Sequence, residues 1–103
     1  MELIDIQKTN RFKLLLALYI ASDADYDHAI NMESLAEQRE LDPPKFNRAF
    51  KYLHEERFIA LEDGGNEYLA SITHKGIKVV EEVFLDPSKQ TYYFPPYRKM
   101  RAK

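Results

Sequence analysis

Residues 35–82 read LAEQRELDPPKFNRAFKYLHEERFIALEDGGNEYLASITHKGIKVVEE, and this stretch decides the fold. Its centre is Asp42-Pro43-Pro44. Asp is a strong helix N-cap, and Pro at the first helical position lacks only an N–H that would have no partner there. The helix that follows, 43–57, carries Phe46, Ala49, Phe50 and Leu53 at i, i+3, i+4 and i+7, one apolar face. Upstream, Asn31 caps a short helix over 32–39, with Met32, Leu35 and Ala36 inward and Leu41 anchoring the turn. Downstream, 58–63 and 68–72 read as strands joined by the turn signal Asp63-Gly64-Gly65-Asn66. Thr73 caps a last helix over 74–85, with Ile77, Val80 and Phe84 on one face and Val79 and Val83 beside them. Asp86-Pro87 ends it.

Working outward, residues 11–22 form a first helix. Phe12, Leu15, Leu16, Tyr19 and Ile20 make one stripe, and Leu14, Ala17, Leu18 and Ala21 a second. Thr9 or Asn10 is its expected cap. Residues 22–27 are a polar break, and 28–31 a short strand. The tail, 92–97, holds four aromatics and two prolines, so it should run extended and dock on protein. The docking surface is the first helix or a second subunit. The expected class is mainly α with a small β-hairpin (α+β), in the order α-β-α-α-β-β-α plus an extended C-terminal tail. The division is a folded unit over 1–86 and a tail over 87–103.

At 103 residues with 45% hydrophobic content, the chain suits one domain. A domain of this size hides roughly 60–70% of its extended surface on folding. There is no cysteine, which removes disulfides and thiolate metal sites and fits a reducing cytoplasm. MELIDIQKTN lacks a basic segment leading into an apolar run, so no secretory signal is expected. The apolar run 14–21 is far short of the roughly 18–20 residues of a membrane helix, so no membrane partner is expected.

The net charge of −2 is unevenly spread. Residues 1–40 carry four Lys/Arg against eight Asp/Glu, and 58–72 carry none against three. Residues 41–57 carry four against three, and 73–103 seven against three. Positive charge thus gathers on the helix 43–57 and at the C-terminus.

The quoted stretch resembles the winged helix-turn-helix transcriptional regulators of bacteria and archaea, most of all small MarR- or PadR-type proteins. Leu35-Ala36 matches the small residue that lets two helices approach, Leu41 the turn anchor, and Phe46, Phe50 and Leu53 the inward face of the recognition helix. Phe58-Ile59 matches the strand that leaves it, and the run from Ile72 to Gly76 the cap of the last helix. The resemblance covers about residues 12–85. Glu40 and Arg57 stand where such proteins usually place Gly, so either the backbone departs there or it carries strain on the order of 1 kcal/mol.

The resemblance implies sequence-specific binding of double-stranded DNA by a dimeric regulator with helix 43–57 in the major groove. The exposed residues of that helix are Pro44, Lys45, Asn47, Arg48, Lys51 and Tyr52. Arg can bond guanine bidentately and Asn adenine, so Arg48 and Asn47 are the base readers; Lys45 and Lys51 suit phosphates. The wing tip is Gly64, Gly65 and Asn66, flanked by Glu62, Asp63 and Glu67 rather than by cations. The doubled stripes of the first and last helices, with the tail, suggest a homodimer. Its two recognition helices would lie roughly 34–36 Å apart. Arg98, Lys99, Arg101 and Lys103 form a basic arm for the DNA backbone.

The alternative is a winged helix used only as a protein-interaction module, favoured by the acidic wing. An enzyme is not expected, because no paired acid and base or activated nucleophile is visible. His28, His54 and His74 form no metal-binding spacing, and the alternating Asp23, Asp25 and Asp27 lack the rest of a calcium loop. Neither metal nor cofactor is expected.

Overall fold

A computed structural model describes residues 2–62, 67–89, 91–97 and 100. Its elements are α1 (Glu2–Ala21), β1 (Ile30–Asn31), α2 (Met32–Gln38), α3 (Pro43–Glu55), β2 (Ile59–Leu61), β3 (Leu69–Ile72) and α4 (His74–Leu85). The class is α+β, with four helices and a three-stranded antiparallel sheet.

Three helices start where a side chain caps them. Asn31 accepts from the N–H of Glu33 at 2.9 Å, Asp42 from that of Lys45 at 3.1 Å, and Thr73 from that of Gly76 at 3.0 Å. α1 differs from expectation. It begins at Glu2 and passes through Thr9 and Asn10 without a break. A capping residue stops nothing by itself, and residues 2–8 contain neither Gly nor Pro. Of the added turns, Gln7 faces α3 across a shared cleft, whereas Leu3, Ile4 and Ile6 are exposed.

Three helices end alike. At the end of α3, Arg57 N–H donates to His54 C=O at 3.0 Å and Phe58 N–H to Leu53 C=O at 2.9 Å, with Arg57 at φ 62°. This is a Schellman motif, which normally has glycine in the left-handed position. Glu40 (φ 58°) plays the same part after α2, and Asp23 (φ 57°) after α1. The backbone therefore does adopt the left-handed conformation at Glu40 and Arg57. The motif also stops α3 at Glu55, two residues short of the expected 57.

The sheet order is β1-β3-β2. β3 is central, pairing Ile30 with Ala70 on one side and Ile59 with Ile72 on the other. The strands are shorter than the expected 58–63 and 68–72, and β1 adds a third strand to the hairpin. The core gathers Phe12, Leu14, Leu15, Leu18, Met32, Leu53, Phe58, Ile59, Ile72, Val80, Val83 and Phe94, all at most 2% exposed.

Phe94 belongs to the tail, and the tail is not extended. Thr91 N–H donates to Phe94 C=O at 3.1 Å and Phe94 N–H to the Thr91 hydroxyl at 2.9 Å, a tight hook. The hook drops the Phe94 ring 5.1 Å from Phe12 and 6.2 Å from Phe58. Tyr97 then sits 4.7 Å from Phe84, and Lys8 Nζ donates to Tyr92 C=O at 2.9 Å. The surface that receives the tail is thus its own α1, together with the rings of Phe58 and of Phe84 on α4. Burying a Phe is worth about 1.5–3 kcal/mol, so Phe94 offsets part of the roughly 1–2 kcal/mol per residue that ordering the hook costs.

Candidate nucleic-acid interface

α3 turns Phe46, Ala49 and Leu53 into the core. Phe50 is half-buried, 5.3 Å from the Phe46 ring and 5.5 Å from Tyr68. With that face inward, Pro44, Lys45, Asn47, Arg48 and Lys51 are exposed. The six residues expected to act together do not share one face, because successive residues of a helix point about 100° apart.

On one flank, Lys45, Arg48 and Tyr52 turn towards α1. There they line a cleft of about 250 Å³ with Lys51 and Glu55 of the same helix and Gln7, Asn10 and Arg11 of α1. The Arg11 guanidinium lies 3.8 Å from the centroid of the Tyr52 ring, so Tyr52 is half-buried and its ring face is covered. Burial raises the Tyr52 hydroxyl pKa, Glu56 adds to the rise, and Arg11 opposes it. On the other flank, Asn47 turns towards α2 and β3. It shares a cleft of about 230 Å³ with Glu33, Glu37, Phe46 and Tyr68. Tyr68 has a raised pKa, chiefly from the Glu67 carboxylate. The flank of α3 towards α1 is thus mainly cationic, and the flank towards α2 meets the carboxylates of Glu33 and Glu37. Pro44, Arg48 and Lys51 lie along the outward ridge.

Among the described residues, Lys45 is the only cation of α3 in an ion pair, with Asp42 at 3.9 Å. Both members are about half exposed, at 52% and 56%, and such surface pairs are worth only about 0–1 kcal/mol. The cations of α3 are neither sequestered nor cancelled.

Gly64, Gly65 and Asn66 lie outside the described residues, as do Arg98, Lys99, Arg101 and Lys103. Glu62 and Glu67, which flank residues 63–66 in the sequence, are exposed. His28 and His54 are exposed, and His74 stacks 4.2 Å from Tyr26. Among the described residues, no three His, Asp or Glu converge as a metal site, and no helix is long and apolar enough to cross a membrane.

Reading the sequence missed Gln7, Asn10 and Arg11, because it began α1 at residue 11. A signal was present: these residues stand at i, i+3 and i+4 and continue along the same helix face to Leu14 and Leu18. The chain matches no protein-family model, and neither a curated protein nor a solved structure is significantly similar to it.

Proposed function

We propose that this chain is a winged helix-turn-helix protein that binds double-stranded DNA, with α3 in the major groove and no enzymatic activity of its own. One observation carries the reading. The ridge of α3 offers Arg48 and Lys51, with Lys45 beside them, on a helix whose opposite face is locked into the core by Phe46, Ala49 and Leu53. The element order and the three-stranded sheet beside α3 support it. In this reading Arg48 and Asn47 contact base edges, and Lys45 and Lys51 hold phosphates. The net charge of −2 does not oppose this, because four cations against one carboxylate line the α1 flank of α3, while Glu33 and Glu37 lie on the other.

The test is fluorescence anisotropy of the whole chain with labelled duplex DNA at low salt. Binding that weakens steeply with salt supports the reading. Duplex affinity no greater than that of a neutral control protein sinks it.

The protein is further proposed to act as a homodimer through the ends of α1 and α4. There Ile20, Phe84 and Leu85 remain 59%, 41% and 86% exposed after the tail has docked. Sedimentation equilibrium of wild type against Leu85→Glu tests this; a monomeric wild type overturns it. A second reading, a protein-interaction module without DNA binding, is favoured by one feature, the acidic flank of Glu33, Glu37, Glu62 and Glu67. A flat salt dependence of binding to heparin and DNA selects it.

A further inference from the structure

We infer that the cleft between α1 and α3 seats a backbone phosphate of the bound duplex, so that the first helix clamps the strand which the acidic wing would repel. The inference rests on the DNA-binding reading and assigns a phosphodiester site that includes residues outside α3.

The cleft brings together Gln7, Asn10 and Arg11 from α1 with Lys45, Arg48 and Tyr52 from α3. With Lys51, also on its lining, four cations and two amides meet there against a single carboxylate, Glu55, and an amide NH2 can donate to an oxyanion. Arg11 is the organising member. Its guanidinium carbon lies 3.8 Å from the centroid of the Tyr52 ring, a cation–π contact. An ion pair with a carboxylate would consume its N–H donors. Among the described residues neither Arg11 nor Arg48 makes one. A cation already ordered by a ring loses less rotamer freedom when it grips a phosphate.

The rest of the surface restricts where a strand can run. On the α2 side of α3 stand Glu33 and Glu37, and at the wing Glu62 and Glu67. Phosphates are driven from that side. With Arg48 and Lys51 on the ridge of α3, the favourable track for the backbone runs across the ridge into the α1 cleft. Phosphodiester oxygens are the ligand chemistry. Free phosphate has the same chemistry, and the experiment separates the two sources.

Whole-chain Arg11→Gln, Arg11→Lys, Asn10→Asp and Arg48→Ala are compared with wild type by duplex anisotropy across a salt series, with a thermal melt of each. Arg11→Gln is expected to weaken every duplex about 3–10-fold, without regard to sequence, and to lower the salt slope by about one. Arg11→Lys keeps the charge and should restore the slope. Asn10→Asp leaves the Arg11–Tyr52 stack in place, adds a carboxylate to the cleft and should weaken binding by a similar factor. Wild-type affinity and slope in both Arg11→Gln and Asn10→Asp, with binding weakened in Arg48→Ala, overturn the clamp and leave the DNA reading standing. No duplex binding by wild type overturns both. Saturable shifts of the Gln7 and Asn10 amide resonances with inorganic phosphate, combined with unchanged duplex affinity of Arg11→Gln, also overturn the clamp, in favour of a small-anion site.

Discussion

The Thr73 hydroxyl donates to the Arg57 carbonyl at 2.6 Å while accepting from the Gly76 N–H, so one side chain ties the end of α3 to the start of α4. Lys75 Nζ adds a bond to the Glu56 carbonyl at 3.0 Å. The left-handed turn at Arg57 aims these carbonyls, and in doing so sets how α3 sits on the sheet.

That turn, like the one at Glu40, is made by a residue with a Cβ. A left-handed L-residue costs about 1–2 kcal/mol, and part of that is returned when glycine loosens the unfolded chain. Arg57→Gly and Glu40→Gly should each stabilise by about 0.5–1 kcal/mol, read as a higher urea midpoint. Arg57→Ala and Glu40→Ala keep the strain and should not. Equal midpoints for the Gly and Ala variants contradict the strain.

Gly76 is needed for space. A Cβ there would run into the Phe58 carbonyl oxygen and stand 2.9 Å from Ile72 Cγ1. Gly76→Ala should therefore destabilise by about 1–3 kcal/mol despite alanine's better helix propensity. Exposed Lys78→Ala, on the same helix, should stay within about 0.5 kcal/mol of wild type. Chemical denaturation of the two checks this.

Phe94 is fully buried between Phe12 and Phe58. Phe94→Ala should cost about 3–5 kcal/mol, the range of a core Phe. Tyr92→Ala, in the same segment but 82% exposed, should cost far less. A Phe94→Ala loss below about 1 kcal/mol would show a tail that is only an appendage.

Tyr19 donates to Glu81 Oε2 at 2.9 Å, and this bond is the main reason its pKa lies above the ordinary value near 10. The native state keeps the phenolic proton longer than the unfolded chain does. The resulting stability is complete below the ordinary tyrosine pKa and is lost as pH rises through the raised one. Tyr52 and Tyr68 shift in the same direction, so Tyr19→Phe removes only one share. Urea midpoints measured from about pH 9 to 11 should fall less steeply in Tyr19→Phe than in wild type. Parallel curves would rule this out.

On DNA, Arg48→Ala should weaken the preferred duplex by about 1–3 kcal/mol and narrow its margin over a random duplex. Lys51→Ala should weaken both alike and lower the salt slope. Competition binding distinguishes them. A wild-type preference left intact in Arg48→Ala removes Arg48 as a base reader.

What could be read from the residues in order was whatever depends on near neighbours. The caps Asn31, Asp42 and Thr73, the inward face of α3 and the order of the seven elements all rest on spacings of a few residues, and each is visible in one window. The pairing of β1 with β3 and the Phe94 hook were not visible. Each is settled by a partner distant in the chain rather than by local preference.

The candidate site divides in the same way. That Lys45, Arg48 and Lys51 face outward follows from helical period alone. That Asn47 looks towards carboxylates and Tyr52 towards Arg11 was decided only when α2 and α1 packed on either side of α3. A helix dictates the angles between its own side chains. The charges those side chains meet are brought by other segments, and their arrival is a matter of packing across the whole core.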